Sequence, residues 1–448
     1  MNTFISRGRP LLAEAESAGV AVAATDPSRN RGLGAIVLSA CALPGVMCGT
    51  ARAEEAPDQA VVEIKVSGYR DAQDKNAGIN VAGAAARQSV QSASTVQGHA
   101  TISSASGGSG GGGGLSGLNL GSNLLDRIVV TSPSIYALVP LGRQWSAEGS
   151  LTVDEISGAS PSYYTNSTSF VHFHDRRTGG DAKLTRYFER AAVSLGVASS
   201  KESDYTSNAL SAGARFSSAD QNTTLNVGVG LTRDVSNPNN QLVHDAHKDT
   251  NEYQIGLTQA LGARDLVQID YTRSLENGYL NDPYKSFDNR PDRRSANVVQ
   301  TRWNHWLGGA ALKLGYRYYG DTFGIRSHTF DLALAVPAGG DSRSTFTPSL
   351  RYYTQGAASF YVNPDATSAS YPAPSDLSGF YSLDQRLSAY GAISVGAKYD
   401  WAIDSNWSMD AKLDIYRQQS GFRLIGQGSP GLSPLSAFIW QVGIKRTF

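Results

Sequence analysis

Beyond about residue 126, apolar and polar residues alternate one by one along most of this chain, and no run of about 18 apolar residues interrupts the pattern. Leu312, Leu314, Tyr316 and Tyr318 alternate with Lys313, Gly315, Arg317 and Tyr319. Phe330, Leu332 and Leu334 alternate with Asp331, Ala333 and Ala335. Met409, Ala411, Leu413 and Ile415 alternate with Asp410, Lys412 and Asp414. A period of two places each set on one face of a strand. A spanning helix is thereby excluded, and two architectures stay open. A soluble sandwich would bury the apolar face against a second sheet. A membrane barrel would turn it to lipid.

The connections separate these two. Short ones, such as Leu141-Gly142-Arg143, Gly262-Ala263-Arg264 and Asp404-Ser405-Asn406, alternate with long ones near 157–179, 235–248, 277–294, 357–380 and 421–434. Short turns on one side and long loops on the other are the periplasmic and extracellular ends of an outer-membrane barrel. The expected fold class is all-β: a transmembrane up-and-down antiparallel β-barrel of about 16 strands, preceded by a signal peptide. Composition agrees. Charged residues are 17%, against roughly 25% in globular proteins. The mean hydropathy of −0.28 fits strands that average a lipid face with a lumen face. A formal net charge of zero with no basic run gives no case for nucleic acid.

Residues 1–53 read as the signal peptide, with a long n-region. Arg29 and Arg31 precede an apolar stretch from Leu33 to Met47 and a small-x-small site, Ala51-Arg52-Ala53. Leu38-Ser39-Ala40-Cys41 offers a rival lipoprotein site, but the apolar stretch continues past Cys41. Cys41 and Cys48 are the only cysteines, so the barrel, 54–448, would contain none. Residues 60–71 alternate as a first strand. Residues 72–125 form a Gly/Ser/Ala-rich insert with five consecutive glycines, Gly110 to Gly114, expected to be a flexible loop. The run from Asp126 to Ser132 looks superficially like the energy-coupling box of active transporters, but no plug-sized segment follows, and it fits a second strand better.

The final strand places Phe438, Trp440, Val442, Ile444 and Phe448 on one face, with Arg446 where an apolar residue is usual. Its terminal Phe resembles the signal read by the outer-membrane assembly machinery, an expected partner beside outer-membrane lipid and lipopolysaccharide. Trp145, Tyr187, Phe188, Trp303, Trp306, Tyr352, Tyr353 and Trp407 fall near strand ends, as interfacial belts do.

Several blocks resemble a family of Gram-negative outer-membrane proteins, domain of unknown function 3570. They include Ser157-Gly158-Ala159-Ser160-Pro161, LTRYFERAAVSLG from Leu184, Asn281-Asp282-Pro283-Tyr284-Lys285 and Arg302-Trp303-Asn304-His305. Further blocks are YRYYGDTFGIRSHTF from Tyr316, PSLRYYTQGAASFY from Pro348 and YSLDQRLSAYGA from Tyr381. The resemblance covers roughly 126–448 and implies a barrel in the cell outer membrane, without an activity.

Parity points one charged set into the lumen: Arg215, Arg302, Lys313, Arg317, Arg351, Arg386, Lys398, Lys412, Asp270, Asp331, Asp410 and Asp414. Such charges set ion selectivity by their field. Mixed signs predict weak selectivity with at most a slight preference for anions. No cofactor is expected and no catalytic residue stands out. His305 and His328 lack a G-x-S-x-G nucleophile nearby, so an outer-membrane hydrolase ranks last and the chain is expected not to be an enzyme. Loop histidines His172 and His174 (beside Asp175), and His244 and His247 (beside Asp245), are weak metal candidates that require their loops to meet. The first expectation is a passive, porin-like channel for small polar or charged solutes. The second is a closed barrel acting as a surface or partner-binding platform.

Overall fold

The computed structural model describes residues 55–74, 124–159, 172–284, 287–339, 343–363, 378–432 and 434–448. The expected signal peptide, both cysteines and the glycine run lie outside the described residues. In chain order the strands are β1 (Val61–Asp74), β2 (Leu124–Pro140), β3 (Trp145–Ala159), β4 (His172–Tyr187), β5 (Ala191–Lys201) and β6 (Tyr205–Ser217). Then come β7 (Thr223–Ser236), β8 (Ala246–Ala260), β9 (Asp265–Gly278), β10 (Asp288–Asn289), β11 (Arg293–Trp306) and β12 (Ala311–Asp321). The last are β13 (Arg326–Ala338), β14 (Ser344–Gln355), β15 (Tyr381–Ser382), β16 (Tyr390–Ala402), β17 (Trp407–Gln419) and β18 (Leu435–Thr447).

All except β10 and β15 join one closed antiparallel barrel of sixteen strands, each paired with its chain neighbours, and β1 pairs with β18 to complete the ring. Closure leaves no unpaired edge, which hydrocarbon would not tolerate. The alternation resolves the earlier choice. Along β5, Leu195 and Val197 are 60% and 57% exposed while Gly196 and Ala198 between and beside them are buried. Large aliphatic side chains face outward on every side of the ring, where a sandwich would have buried them and lipid covers them. The chain is an outer-membrane β-barrel.

The connections at 141–144, 188–190, 218–222, 261–264, 307–310, 339–343 and 403–406 are the short, periplasmic ones. Gly142, Gly308 and Gly339 have φ of 77°, 91° and 83°, a region that side chains disfavour. Both described ends of the barrel, Val61 and Thr447, lie at this rim. On the opposite side two connections, 202–204 and 322–325, are as short as the periplasmic ones, so the length asymmetry is less regular than the sequence suggests. The Asp126–Ser132 run lies within β2, as expected of a second strand.

At the periplasmic rim the misplaced Arg446 finds a physical role. Its guanidinium lies 5.1 Å from the ring of Trp407 and 4.5 Å from that of Phe448. Arg186 lies in the same way against Trp145 and Phe188, at 5.3 and 4.9 Å. Cations over aromatic faces suit a belt where apolar and wet environments meet. Three residues of the expected belt depart from it, Trp306 by standing on the inward parity of β11. Tyr187 is buried and bonds Ser146 at 3.0 Å, and Tyr353 faces inward against Tyr390.

The β1–β18 seam carries a close fit. Gly68 stands opposite Trp440, whose indole covers it. A Cβ at residue 68 would collide with the indole Nε1. Gly68→Ala is therefore expected to lift Trp440 off the seam and destabilise the barrel by about 1–3 kcal/mol. Urea unfolding followed by Trp fluorescence and heat-modifiable gel mobility measures this.

Candidate functional site: a capped, charged lumen

The inner wall is charged at mid-height. Arg302 on β11, Lys313 and Arg317 on β12 and Arg351 on β14 face in from neighbouring strands. Arg351 Nε donates to Asp331 Oδ1 of β13 at 2.5 Å. Arg317 lies 5.9 Å from the ring centre of Tyr319. Elsewhere on the wall Lys398 meets Asp400 at 2.7 Å, and Lys412 meets Asp414 at 3.4 Å. Gln441 donates to Asp410 at 3.2 Å. Arg215 also faces in, from β6.

All four expected lumen aspartates share one device. Asp270, Asp331, Asp414 and Asp410 stand in register opposite Gly256, Gly315, Gly396 and Gly443 of the adjacent strand. The carboxylates of Asp270, Asp414 and Asp410 occupy the space that a Cβ on the facing glycine would need, whereas at Gly315 it is the Asp331 Cβ that comes close. The glycine lets the side chain lie along the wall instead of across the lumen. The charge is thus held in place while the bore stays wider.

Arg386 departs from expectation. It lies on no barrel strand, because the connection between β14 and β16 runs from 356 to 389, longer than expected. Arg386 sits in a single 3-10 turn, Gln385–Leu387. That turn belongs to a cap built from extracellular connections. β10 and β15 pair with each other, joining the 279–292 connection to the 356–389 connection. At their junction is a buried ionic knot. Arg386 bonds Asp282 at 2.6 Å and also Asp384. Arg290 bonds Asp384 at 2.7 Å and Asp288 at 2.9 Å. The backbone N–H of Asp282 donates to Asp288 at 2.6 Å, and Ser382 Oγ donates to the same carboxylate. Asp282, Arg290 and Asp384 are all at most 8% exposed. Three carboxylates thus share two guanidiniums in a desolvated place. Burial pushes the carboxyl of Asp288 above its ordinary range, against the pull of Arg290.

The cap is fastened to two walls. Gln355, the last inward residue of β14, donates its amide to the carbonyls of Arg386 and Ser388 at 2.9 and 2.6 Å. Far around the ring, the Tyr284 hydroxyl donates to Asp204 in the β5–β6 turn at 2.5 Å. Seven strand steps in one direction and eight in the other separate β14 from the β5–β6 hairpin. The cap therefore straddles the mouth of the lumen. Phe323 and Ile325 of the β12–β13 turn pack against Ala358 and Leu387 of the cap, with Phe323 edge-on to Phe360 at 5.0 Å. The 420–432 connection joins through Ser429, which exchanges two 2.8 Å hydrogen bonds with Ala389. Between the cap and the upper wall of β6–β9 a cleft of about 740 Å³, including solvent at its mouth, is lined by Tyr205, Asp234, Lys248, Glu276 and Arg290.

Of the weak metal candidates, His174 and His247 are exposed, and His244 lies in the β7–β8 connection. His172 opens β4. Among the described residues, the one group of three metal-capable side chains is Asp175, Glu202 and Asp204, which contains no histidine. His305 Nδ1 meets Asp265 at 2.7 Å and His328 Nδ1 meets the Tyr316 hydroxyl at 2.9 Å.

The family model described as Protein of unknown function (DUF3570) matches residues 33–437. The chain belongs to this family. Four of the sequence blocks that carry the family resemblance, those containing Asp282, Phe323, Gln355 and Arg386, converge on the cap. No curated protein matches the chain. Among solved structures, a bacterial polysaccharide outer membrane secretin is 8% identical, with a TM-score of 0.43 over 86% of this chain and 98% of its own. OccK1 (OpdK) of Pseudomonas aeruginosa is 7% identical, with a TM-score of 0.40 over 88% of this chain and 100% of its own. A Pseudomonas aeruginosa FadL homologue is 12% identical, with a TM-score of 0.36 over 87% and 90%.

Proposed function

We propose that this barrel is a passive channel for small charged solutes whose extracellular mouth is gated by the folded cap. The observation that carries the reading is the cap itself, anchored on nearly opposite walls above a charged lumen. A sixteen-strand ring is wide enough for an aqueous lumen unless loops fill it. The Arg/Lys and Asp/Glu side chains below the cap supply a hydrated, nearly balanced field, so selectivity between ions is weak with a slight preference for anions. Transport needs no covalent step, no cofactor and no catalytic residue. A permanently closed barrel, serving as a surface platform, is the second reading, and the burial of the ionic knot favours it. Liposome swelling with solutes of graded size separates the two: the channel admits the small ones, and the platform admits none.

The knot also gives the gate a pH dependence. Closing the cap raises the pKa of Asp288, so the closed cap holds the proton more tightly than the open one. This contribution to closure is full below the ordinary carboxylate range and is lost as pH rises through the raised value. Opening should therefore become more frequent as pH rises above the ordinary carboxylate range. Asp288→Asn, which keeps a carbonyl acceptor and removes the charge, should flatten the profile. An unchanged slope in single-channel records of that variant would assign the dependence to another group.

A further inference from the structure

Above its aromatic belt, the outer face of the β9–β13 wall is basic. Arg273, Asn297, Gly320 and Arg326 stand in one row across four successive barrel strands. At about 4.8 Å per strand the two arginines are about 14 Å apart. Gly320 between them has no side chain of its own, and the Tyr318 ring leans over it, with its hydroxyl where a Cβ would stand. The guanidinium of Arg273 is held in position by Asn297 Oδ1 at 2.8 Å and Ser295 Oγ at 3.1 Å, and Asn297 Oδ1 also accepts from the Tyr271 hydroxyl at 2.8 Å. These bonds use some of its five N–H donors and leave its charge uncompensated. Neither Arg273 nor Arg326 has a carboxylate partner among the described residues. The acids nearest in sequence, Asp270 and Glu276 for Arg273 and Asp321 and Asp331 for Arg326, all stand on the inward parity of their strands, and Asp321 is bound to Arg294.

The depth of this row is set by what lies below it. The next row down carries Tyr318 and His328. Then come Tyr316, Phe330 and Tyr352, whose rings follow one another at 5.1 and 6.4 Å. Beneath these lie the lipid-facing Leu314, Leu332 and Leu350. Interfacial aromatics with cations just above them lie at headgroup height. Buried charge without a counter-charge is costly in that zone unless the lipid supplies one. The outer leaflet provides phosphate, and arginine binds phosphate in a fork geometry.

We propose that Arg273 and Arg326 form a docking site for the phosphorylated disaccharide headgroup of lipopolysaccharide, one phosphate at each arginine and the sugar over the Tyr318 ring that covers Gly320. The site depends on residence in the outer membrane and not on the channel reading.

The test measures binding of bisphosphoryl lipid A to the purified, folded protein by native mass spectrometry, with dephosphorylated lipid A and inorganic phosphate as comparison probes. Arg273→Ala with Arg326→Ala is expected to weaken bisphosphoryl lipid A about tenfold or more. Arg326→Ala alone leaves the Arg273 hydrogen bonds intact and should give part of that loss. Arg233→Ala, on the outer face and paired with Asp249 at 3.0 Å, should change binding little. Heat-modifiable mobility verifies that each variant is folded. Equal binding by the double variant, equal binding of dephosphorylated lipid, or full competition by millimolar inorganic phosphate would each overturn the proposal. So would loss of self-association with lipid binding unchanged, which would assign the face to a second copy of the chain.

Discussion

Arg386→Ala opens the cap. The substitution leaves Asp282 and Asp384 facing each other in a buried place with Arg290 as their remaining guanidinium. Removing one partner from a buried ionic cluster costs about 3–5 kcal/mol. Unfastening the cap relieves that cost, because both carboxylates then reach water. A shift of this size changes the ratio of open to closed forms by at least about a hundredfold. The expected record is a channel that spends most of its time open. Arg386→Lys keeps the charge but cannot bond both aspartates as the planar guanidinium does, so it should fall between the two. Barrel stability should hardly change, since Arg386 belongs to no barrel strand. A variant that unfolds earlier in urea without gating differently would place the knot in the stability of the barrel instead.

Charge reversal at Arg317 and Arg351 shifts ion selectivity toward cations. Each Arg→Glu change moves the local charge by two units. At about 8 Å and the dielectric constant of water, one unit charge acts on a passing ion with about 0.5 kcal/mol. The double variant therefore changes the barrier by about 2 kcal/mol before screening, in opposite directions for anions and cations, and a change of at least about tenfold in the anion-to-cation permeability ratio is expected at low salt. The effect should shrink as the Debye length falls from about 30 Å at 0.01 M to about 3 Å at 1 M. Arg317→Glu alone is the simpler test, because Arg351 is already paired with Asp331 and its reversal sets two carboxylates against each other. Reversal potentials across a salt gradient give the ratio directly. No displacement in the single Arg317 variant would mean that ions do not pass that point of the wall.

The barrel was legible because its signal is local. One residue's neighbours decide whether it faces lipid or lumen, so parity alone placed Arg302, Lys313, Arg317 and Asp331 on the inner wall. The same rule failed at Arg386, because parity presupposes a strand. There Asp384 instead caps a 3-10 turn by accepting from the Arg386 N–H at 3.0 Å. The knot itself joins Asp282 to Arg386 across 104 positions, a pairing that no periodicity can show. The aspartate–glycine pairs were hidden for a related reason. Glycines 256, 315, 396 and 443 look like ordinary strand glycines until register sets each against its carboxylate. Tyr187 and Tyr353 read as belt residues by position, yet each sits on the inward parity of its strand. Only one trace of the cap is visible in the sequence: the block beginning at Asn281 lies in a long connection, where a purely structural barrel has little reason for a distinctive sequence.

The central claim is a lumen closed by a movable cap, and planar-bilayer recording of the purified, folded protein beside Arg386→Ala tests it most directly. The wild type should show brief, infrequent openings, and the variant should show long openings of the same unit conductance. A constant, fully open conductance in the wild type, or silence from both proteins, would contradict it.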